Sequence, residues 1–150
     1  MTGAEKILAA AQSQLGVTEQ PPQSNRVKYN DWYYGRPVSG PSYPWCMAFV
    51  QWVFCTAGMA IPLKTASCGM LMAWARRQKK FVRWGFRPGD VVFFCFDGKR
   101  VVHTGIVEKI RPDGYLVTIE GNTGTGNDAN GGAVMRRVRN PKTVAGAYRM

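Results

Sequence analysis

Apolar residues first recur at helical spacing near the start of the chain. Ile7, Leu8, Ala11 and Leu15 share one face and Gly16 suits a stop, so residues 4–15 are expected to form an amphipathic helix. Residues 17–44 lose the period. They are rich in Pro, Gly, Ser, Asn and Tyr and read as a long, aromatic-bearing loop, a kind of segment that is often functional. From Trp45 to Cys55 nearly every residue is apolar. That run lies between Pro44 and Ala57-Gly58 and is long for a buried strand, which predicts a central buried helix. Residues 67–80 predict a third helix, with Ser67 as its N-cap and Arg76, Arg77, Lys79 and Lys80 in its last turns.

After Arg87-Pro88-Gly89-Asp90 the pattern turns to β. Residues 91–96, 101–110, 115–120, 133–138 and 144–148 read as strands, and Asp97-Gly98 and Arg111-Pro112-Asp113-Gly114 as the first two turns. Helices followed by a meander of strands argue an α+β fold on an antiparallel sheet. There is no internal repeat, low-complexity tract or linker, so residues 1–150 are expected to form a single domain.

Composition is that of an ordinary globular protein, 45% hydrophobic and 19% charged. The charge changes the picture more. Twenty Lys+Arg against nine Asp+Glu give +11, which points to a polyanionic neighbour: nucleic acid, anionic membrane or bacterial wall polymer. The bland reading is a solvated basic surface. The first sixteen residues lack a basic n-region, and Glu5, Lys6 and Gln12 interrupt the apolar run, so no secretory signal is read there. No apolar stretch of about 18 residues is present, which excludes a transmembrane helix. Synthesis in the cytoplasm is expected; a substrate outside would be reached by release or delivery. Cys46, Cys55, Cys68 and Cys95 form no Cys-x-x-Cys pair and are expected to be free thiols, most of them small buried hydrophobes.

Cys46 differs from the other three. It falls in the first turn of the predicted buried helix, where unpaired N–H groups and the helix dipole favour a thiolate. A thiolate nucleophile needs a base, and the chain has one histidine, His103, on a predicted strand. The base in turn needs an orienting acceptor. If Pro112 and Asp113 are the centre of a two-residue turn, Arg111 faces Gly114 and His103 lies opposite Asn122. Glu120 is then two residues along on the same face, and either side chain could hold the ring. If Pro112-Asp113-Gly114 make a three-residue loop, the register shifts by one, the faces flip, and a second bulge is required to rebuild the site.

Four blocks together resemble a known family. Pro44-Trp45-Cys46-Met47-Ala48-Phe49-Val50, Arg87-Pro88-Gly89-Asp90-Val91-Val92-Phe93-Phe94, His103-Thr104-Gly105-Ile106-Val107 and Ile119-Glu120-Gly121-Asn122 look like the CHAP (cysteine, histidine-dependent amidohydrolase/peptidase) family, in its order and spacing. The resemblance implies a papain-like α+β fold and hydrolysis of a peptidoglycan amide bond. It implies Cys46 as nucleophile, His103 as general base and then acid, Glu120 as orienting carboxylate and Asn122 as a further polar site residue. No cofactor is implied. Some members bind calcium through an acidic loop before the cysteine; Ser39-Gly40-Pro41-Ser42-Tyr43-Pro44 has no carboxylate, so no metal is expected. Trp32, Tyr43 and Trp45, with Tyr33 and Tyr34, are candidates to line the substrate cleft, or else simply pack the loop.

The expected partners are bacterial peptidoglycan and, through the basic surface, an anionic wall polymer. The expected role is a phage-type lysin or a delivered antibacterial toxin whose delivery or immunity partner is unidentified. The alternatives are a papain-like amidase or peptidase acting on an intracellular protein or peptide, a catalytically dead wall-binding module, and a basic nucleic-acid-binding protein. The last leaves Cys46, His103 and Glu120 unexplained, and no nucleic-acid recognition signature is present.

Overall fold

The computed structural model describes all of residues 1–150. Four helices come first: α1 (Gly3–Gln12), α2 (Lys28–Tyr34), α3 (Cys46–Thr56) and α4 (Cys68–Arg77). Six strands follow: β1 (Phe81–Val82), β2 (Val91–Phe94), β3 (His103–Ile110), β4 (Leu116–Thr123), β5 (Ala133–Arg139) and β6 (Val144–Tyr148). They form one sheet in the order β1-β6-β2-β3-β4-β5, with every neighbouring pair antiparallel.

The helix signals act as capping chemistry predicts. Ser67 accepts a hydrogen bond from the Met70 N–H at the start of α4. Thr2 and Glu5 close a reciprocal capping box on α1. Two elements were not expected. α2 lies inside the long loop, too short to show a helical period, and buries Tyr29 and Asn30. The Asn30 amide donates to the Asn25 and Tyr43 carbonyls and so ties the loop to the core. β1 is a two-residue pairing with β6, below the length at which alternation can be read.

α3 is the centre of the molecule. Cys46 to Gln51, Val53 and Phe54 are all buried. One sheet face gives Val91, Phe93, Ile106 and Ile119 to the same core, while Val92, Phe94, Val107, Leu116 and Ala147 form a second cluster. Burial on both faces explains why strands such as β2 read as continuous apolar runs rather than alternating ones. Gly121 permits the close approach of α3: a Cβ there would stand 2.7 Å from Phe49 Cβ and 3.0 Å from the Trp45 ring.

The β3–β4 hairpin takes the second of the two registers. Arg111 N–H donates to the Tyr115 carbonyl and Gly114 N–H to the Arg111 carbonyl, leaving a three-residue loop. Ile110 faces Leu116 and Lys109 faces Val117. A bulge at Glu108 then shifts the partners, so that Val107 faces Thr118 and Ile106 faces Ile119. This second bulge carries His103 and Glu120 back to one face.

Candidate active site

Cys46 opens α3, and the residue before it, Trp45, supplies no side-chain cap. The first N–H groups of the helix are therefore left for another acceptor. One of them, from Met47, favours negative charge on the Cys46 sulfur. His103 opens β3 and is fully buried. Its ring stacks on Phe94, with centroids 5.7 Å apart, and Phe96 lies 6.2 Å away. Nε2 is 2.8 Å from Glu120 Oε1. Nδ1 is buried without a hydrogen-bond partner, so it is the ring nitrogen free to serve Cys46.

Each group alters the other. A hydrogen bond from Cys68 holds the Cys46 thiol well below its ordinary range; burial opposes this, and His103 and the Met47 N–H add to it. Burial favours a neutral His103 ring, but hydrogen bonds and charge from Cys46 and Glu120 prevail and raise it to about 9. Both shifts act in the same sense and favour a thiolate beside an imidazolium.

Glu120 anchors the far side of the ring. Oε1 accepts from His103 and from Arg139 Nη2 at 2.6 Å; Oε2 accepts from Thr118 Oγ1 at 2.6 Å and Arg139 Nε at 2.9 Å. Burial disfavours its charge, yet the bonds from Arg139 and His103 outweigh it and bring the carboxyl down to about 2. Arg139 also reaches Asp128 at 2.8 Å and lies over the Phe94 and Phe96 rings. Gly105 leaves room for this carboxylate, since a Cβ there would stand 2.6 Å from Glu120 Cγ.

A comparison with protein-family models matches residues 38–122 to the CHAP domain, a span that covers more than half of the chain and holds Cys46, His103, Glu120 and Asn122. The chain belongs to the CHAP family. Two solved structures are similar. The wild-type endolysin LysIME-EF1 is 17% identical, with a TM-score of 0.57 over 99% of this chain and 64% of that one. Ly7917 is 15% identical, with a TM-score of 0.56 over 97% of this chain and 61% of that one. The chain thus spans under two thirds of the length of either, and the likeness is one of fold, the papain-like α+β arrangement. No curated protein matches the sequence.

In this CHAP domain the two acceptors expected beside the imidazole separate. Glu120 takes the ring, whereas Asn122 turns to the loop after β4. Its Oδ1 accepts from the Gly132 N–H at 3.1 Å, its Nδ2 donates to Asn130 Oδ1 at 3.2 Å, and its backbone φ is +56°. Asn122→Ala is expected to loosen residues 123–132 and cost about 1–3 kcal/mol, because it leaves a buried donor unpaired and strains a left-handed backbone. Thermal melting checks this. A wild-type melting temperature with a collapsed kcat would show that Asn122 belongs to the chemistry instead.

The aromatic cleft expected from the sequence is not assembled at this CHAP site. Trp45 is fully buried, stacks on Tyr29 and donates its indole N–H to Glu19 at 2.9 Å, so no face remains for a substrate. Tyr43 packs edge-on to Tyr34, and Tyr34 to Tyr33. Trp32 is 41% exposed and lines a cavity of about 260 Å³ with Gln51, Cys55, Ile61 and Lys64, which includes neither Cys46 nor His103.

Arg139, Thr118, Phe94, Phe96 and Cys68 were not singled out from the sequence. β5 carries three arginines, and alternation alone does not say which one turns inward against a carboxylate. Cys68 did carry a signal. With Ser67 as N-cap it is the first residue of α4, the same helical position that distinguishes Cys46 in α3.

Proposed function

We propose that this CHAP domain hydrolyses an amide bond of bacterial peptidoglycan through a thioester on Cys46. The observation that carries the reading is the line Cys46, His103, Glu120: a helix-terminal thiolate, an imidazolium beside it, and a fixed carboxylate behind the ring. The thiolate attacks the amide carbonyl, and N–H groups at the start of α3 are positioned as oxyanion donors. His103 gives its proton to the departing amine. The neutral ring then takes a proton from water as that water attacks the thioester, and acid and thiolate are released. The bond cut is either the N-acetylmuramoyl-L-alanine amide or one within the stem peptide or cross-bridge. Digestion of purified sacculi, with the new termini identified by mass spectrometry, tests this. New amino and carboxyl ends are expected; new sugar reducing ends, or no release, would refute it.

The basic surface supports a second contact, to an anionic wall polymer. Arg111, Arg136, Arg137, Arg139 and Arg149 all pair with carboxylates. Arg76, Arg77, Lys79, Lys80, Arg83 and Arg87 form no ion pair and are gathered around the end of α4 and β1 beside Trp84, which is 78% exposed. Free cations so close together attract a polyanion and are screened over about 10 Å at 0.1 M salt and about 3 Å at 1 M. Wall binding by the whole chain is expected to weaken about tenfold or more across that range, and Lys79→Gln/Lys80→Gln/Arg83→Gln to flatten the dependence. Salt-independent pelleting with walls would contradict the contact. No helix of the protein is long and apolar enough to cross a membrane.

A further inference from the structure

Hydrolysis as described runs through Cys46, His103 and Glu120 and uses Cys68 only for the hydrogen bond that favours the thiolate, yet this second cysteine stands directly against the nucleophile. Cys68 Sγ is 3.8 Å from Cys46 Sγ, in van der Waals contact. Each sulfur belongs to the first residue of a helix, Cys46 in α3 and Cys68 in α4, so two rigid elements hold the pair together. Cys68 is buried, 8% exposed, and is not needed to position His103 or Glu120. Cys55 and Cys95 have no such neighbour: Cys55 is exposed and Cys95 faces Asp97.

We infer that Cys46 and Cys68 are a redox pair, in which a hydroperoxide reversibly converts the nucleophile to an intramolecular disulfide. The inference rests on the reading of Cys46 as the catalytic nucleophile. The Cys46 thiolate attacks the peroxide oxygen, the O–O bond breaks, and Cys46 becomes a sulfenic acid while the alkoxide or hydroxide leaves and takes up a proton. The Cys68 sulfur then attacks the Cys46 sulfur, the S–O bond breaks, and water departs with the Cys68 proton. Two thiols are oxidised by two electrons and one peroxide is reduced.

The two sulfurs have unequal tasks, and their surroundings match them. Cys46, whose thiolate is favoured, is the stronger nucleophile toward the oxidant. Cys68 is pushed well above the ordinary thiol range by its hydrogen bond to Cys46, by burial and by the Cys46 charge, so it stays a thiol while Cys46 is anionic. Sulfenic acid formation removes that charge and frees Cys68 to resolve it. A neighbouring thiol also diverts Cys46 from the irreversible sulfinic and sulfonic acids. The enzyme is thereby silenced by oxidant and restored by a thiol reductant.

The test uses the full chain carrying Cys55→Ser and Cys95→Ser, which leaves only the pair. The protein is treated with hydrogen peroxide in the presence of EDTA, alkylated, and read by intact mass, peptide mapping and sacculus lysis. The expected result is a mass lowered by the two thiol hydrogens, a peptide linking positions 46 and 68, loss of lysis, and its return with dithiothreitol. Cys68→Ser, compared with its own untreated activity, should accumulate sulfinic acid at Cys46 and recover next to nothing. Cys68→Ala serves if that variant folds poorly. Lysis with Cys46 and Cys68 left unlinked, or recovery by the Cys68 variant equal to that of the parent, would overturn the inference. A clean cross-link in a protein that lyses nothing even before treatment would overturn the hydrolase reading instead and leave the redox pair standing.

Discussion

Cys46→Ala is expected to abolish sacculus hydrolysis, lowering kcat by about four orders of magnitude or more, the scale on which loss of a covalent nucleophile acts. The fold should survive. The lost sulfur opens only a small space beneath α3, costing on the order of 1 kcal/mol. The same substitution should be visible at His103. Cys46 is among the groups that hold the ring near 9, so the imidazole should titrate lower in the variant. In the parent enzyme, activity should fall as pH rises through about 9, where the imidazolium that protonates the leaving amine is lost. On the acid side the limb should lie well below the ordinary thiol range, because the thiolate persists there. Kinetics on sacculi, circular dichroism and NMR titration of the single histidine check these together. Lysis by a folded Cys46→Ala protein would end the assignment.

Glu120→Gln is the second large effect, and its environment makes it more than a charge deletion. Both carboxylate oxygens receive donors, from His103, Thr118 and twice from Arg139. A glutamine must point its NH2 at one of these donor sets, and Arg139 loses a buried partner, keeping only Asp128 and Thr123. Breaking such a pair costs about 3–5 kcal/mol. A fall in kcat of about one to three orders of magnitude is expected as the ring loses its orienting charge. The alkaline limb should move below 9, since Glu120 is one of the groups raising His103.

The two effects can be separated. Glu120→Gln/Arg139→Met removes both partners of the ion pair, so it should regain stability over the single variant while kcat stays low. Thermal melts with kcat for both proteins decide the matter; a single variant with wild-type kcat and an unmoved alkaline limb would leave Glu120 a structural residue. Stability against pH has a defined sign. Glu120 is depressed from 4.5 to about 2, so its contribution is complete above 4.5 and lost as pH falls towards 2. His103 is raised from 6.5 to about 9, so its contribution is complete below 6.5 and lost as pH rises through 9. Glu120→Gln should lack the first dependence.

The chain by itself determined most of the layout and narrowed the candidate site to a few residues. Apolar residues running from Trp45 to Cys55 between Pro44 and Gly58 are too long a run for a typical buried strand and favour a buried helix, and that places Cys46 at its N-terminus. A single histidine on a strand left one partner, and the spacing of Glu120 and Asn122 limited the acceptor to two. Tertiary structure decided between them, because a strand's alternation fixes a face only until the first bulge. The hairpin loop shifts the register by one residue and the bulge at Glu108 shifts it back, and neither can be weighed from local sequence. Trp45 is a core residue and not a substrate contact because Tyr29 and Glu19, far away in sequence, close over it. Arg139 and Cys68 join the site through the same kind of distant contact. Which arginine of β5 reaches Glu120, and which helix start meets Cys46, depend on how separate elements pack, and no local pattern in the chain encodes that packing.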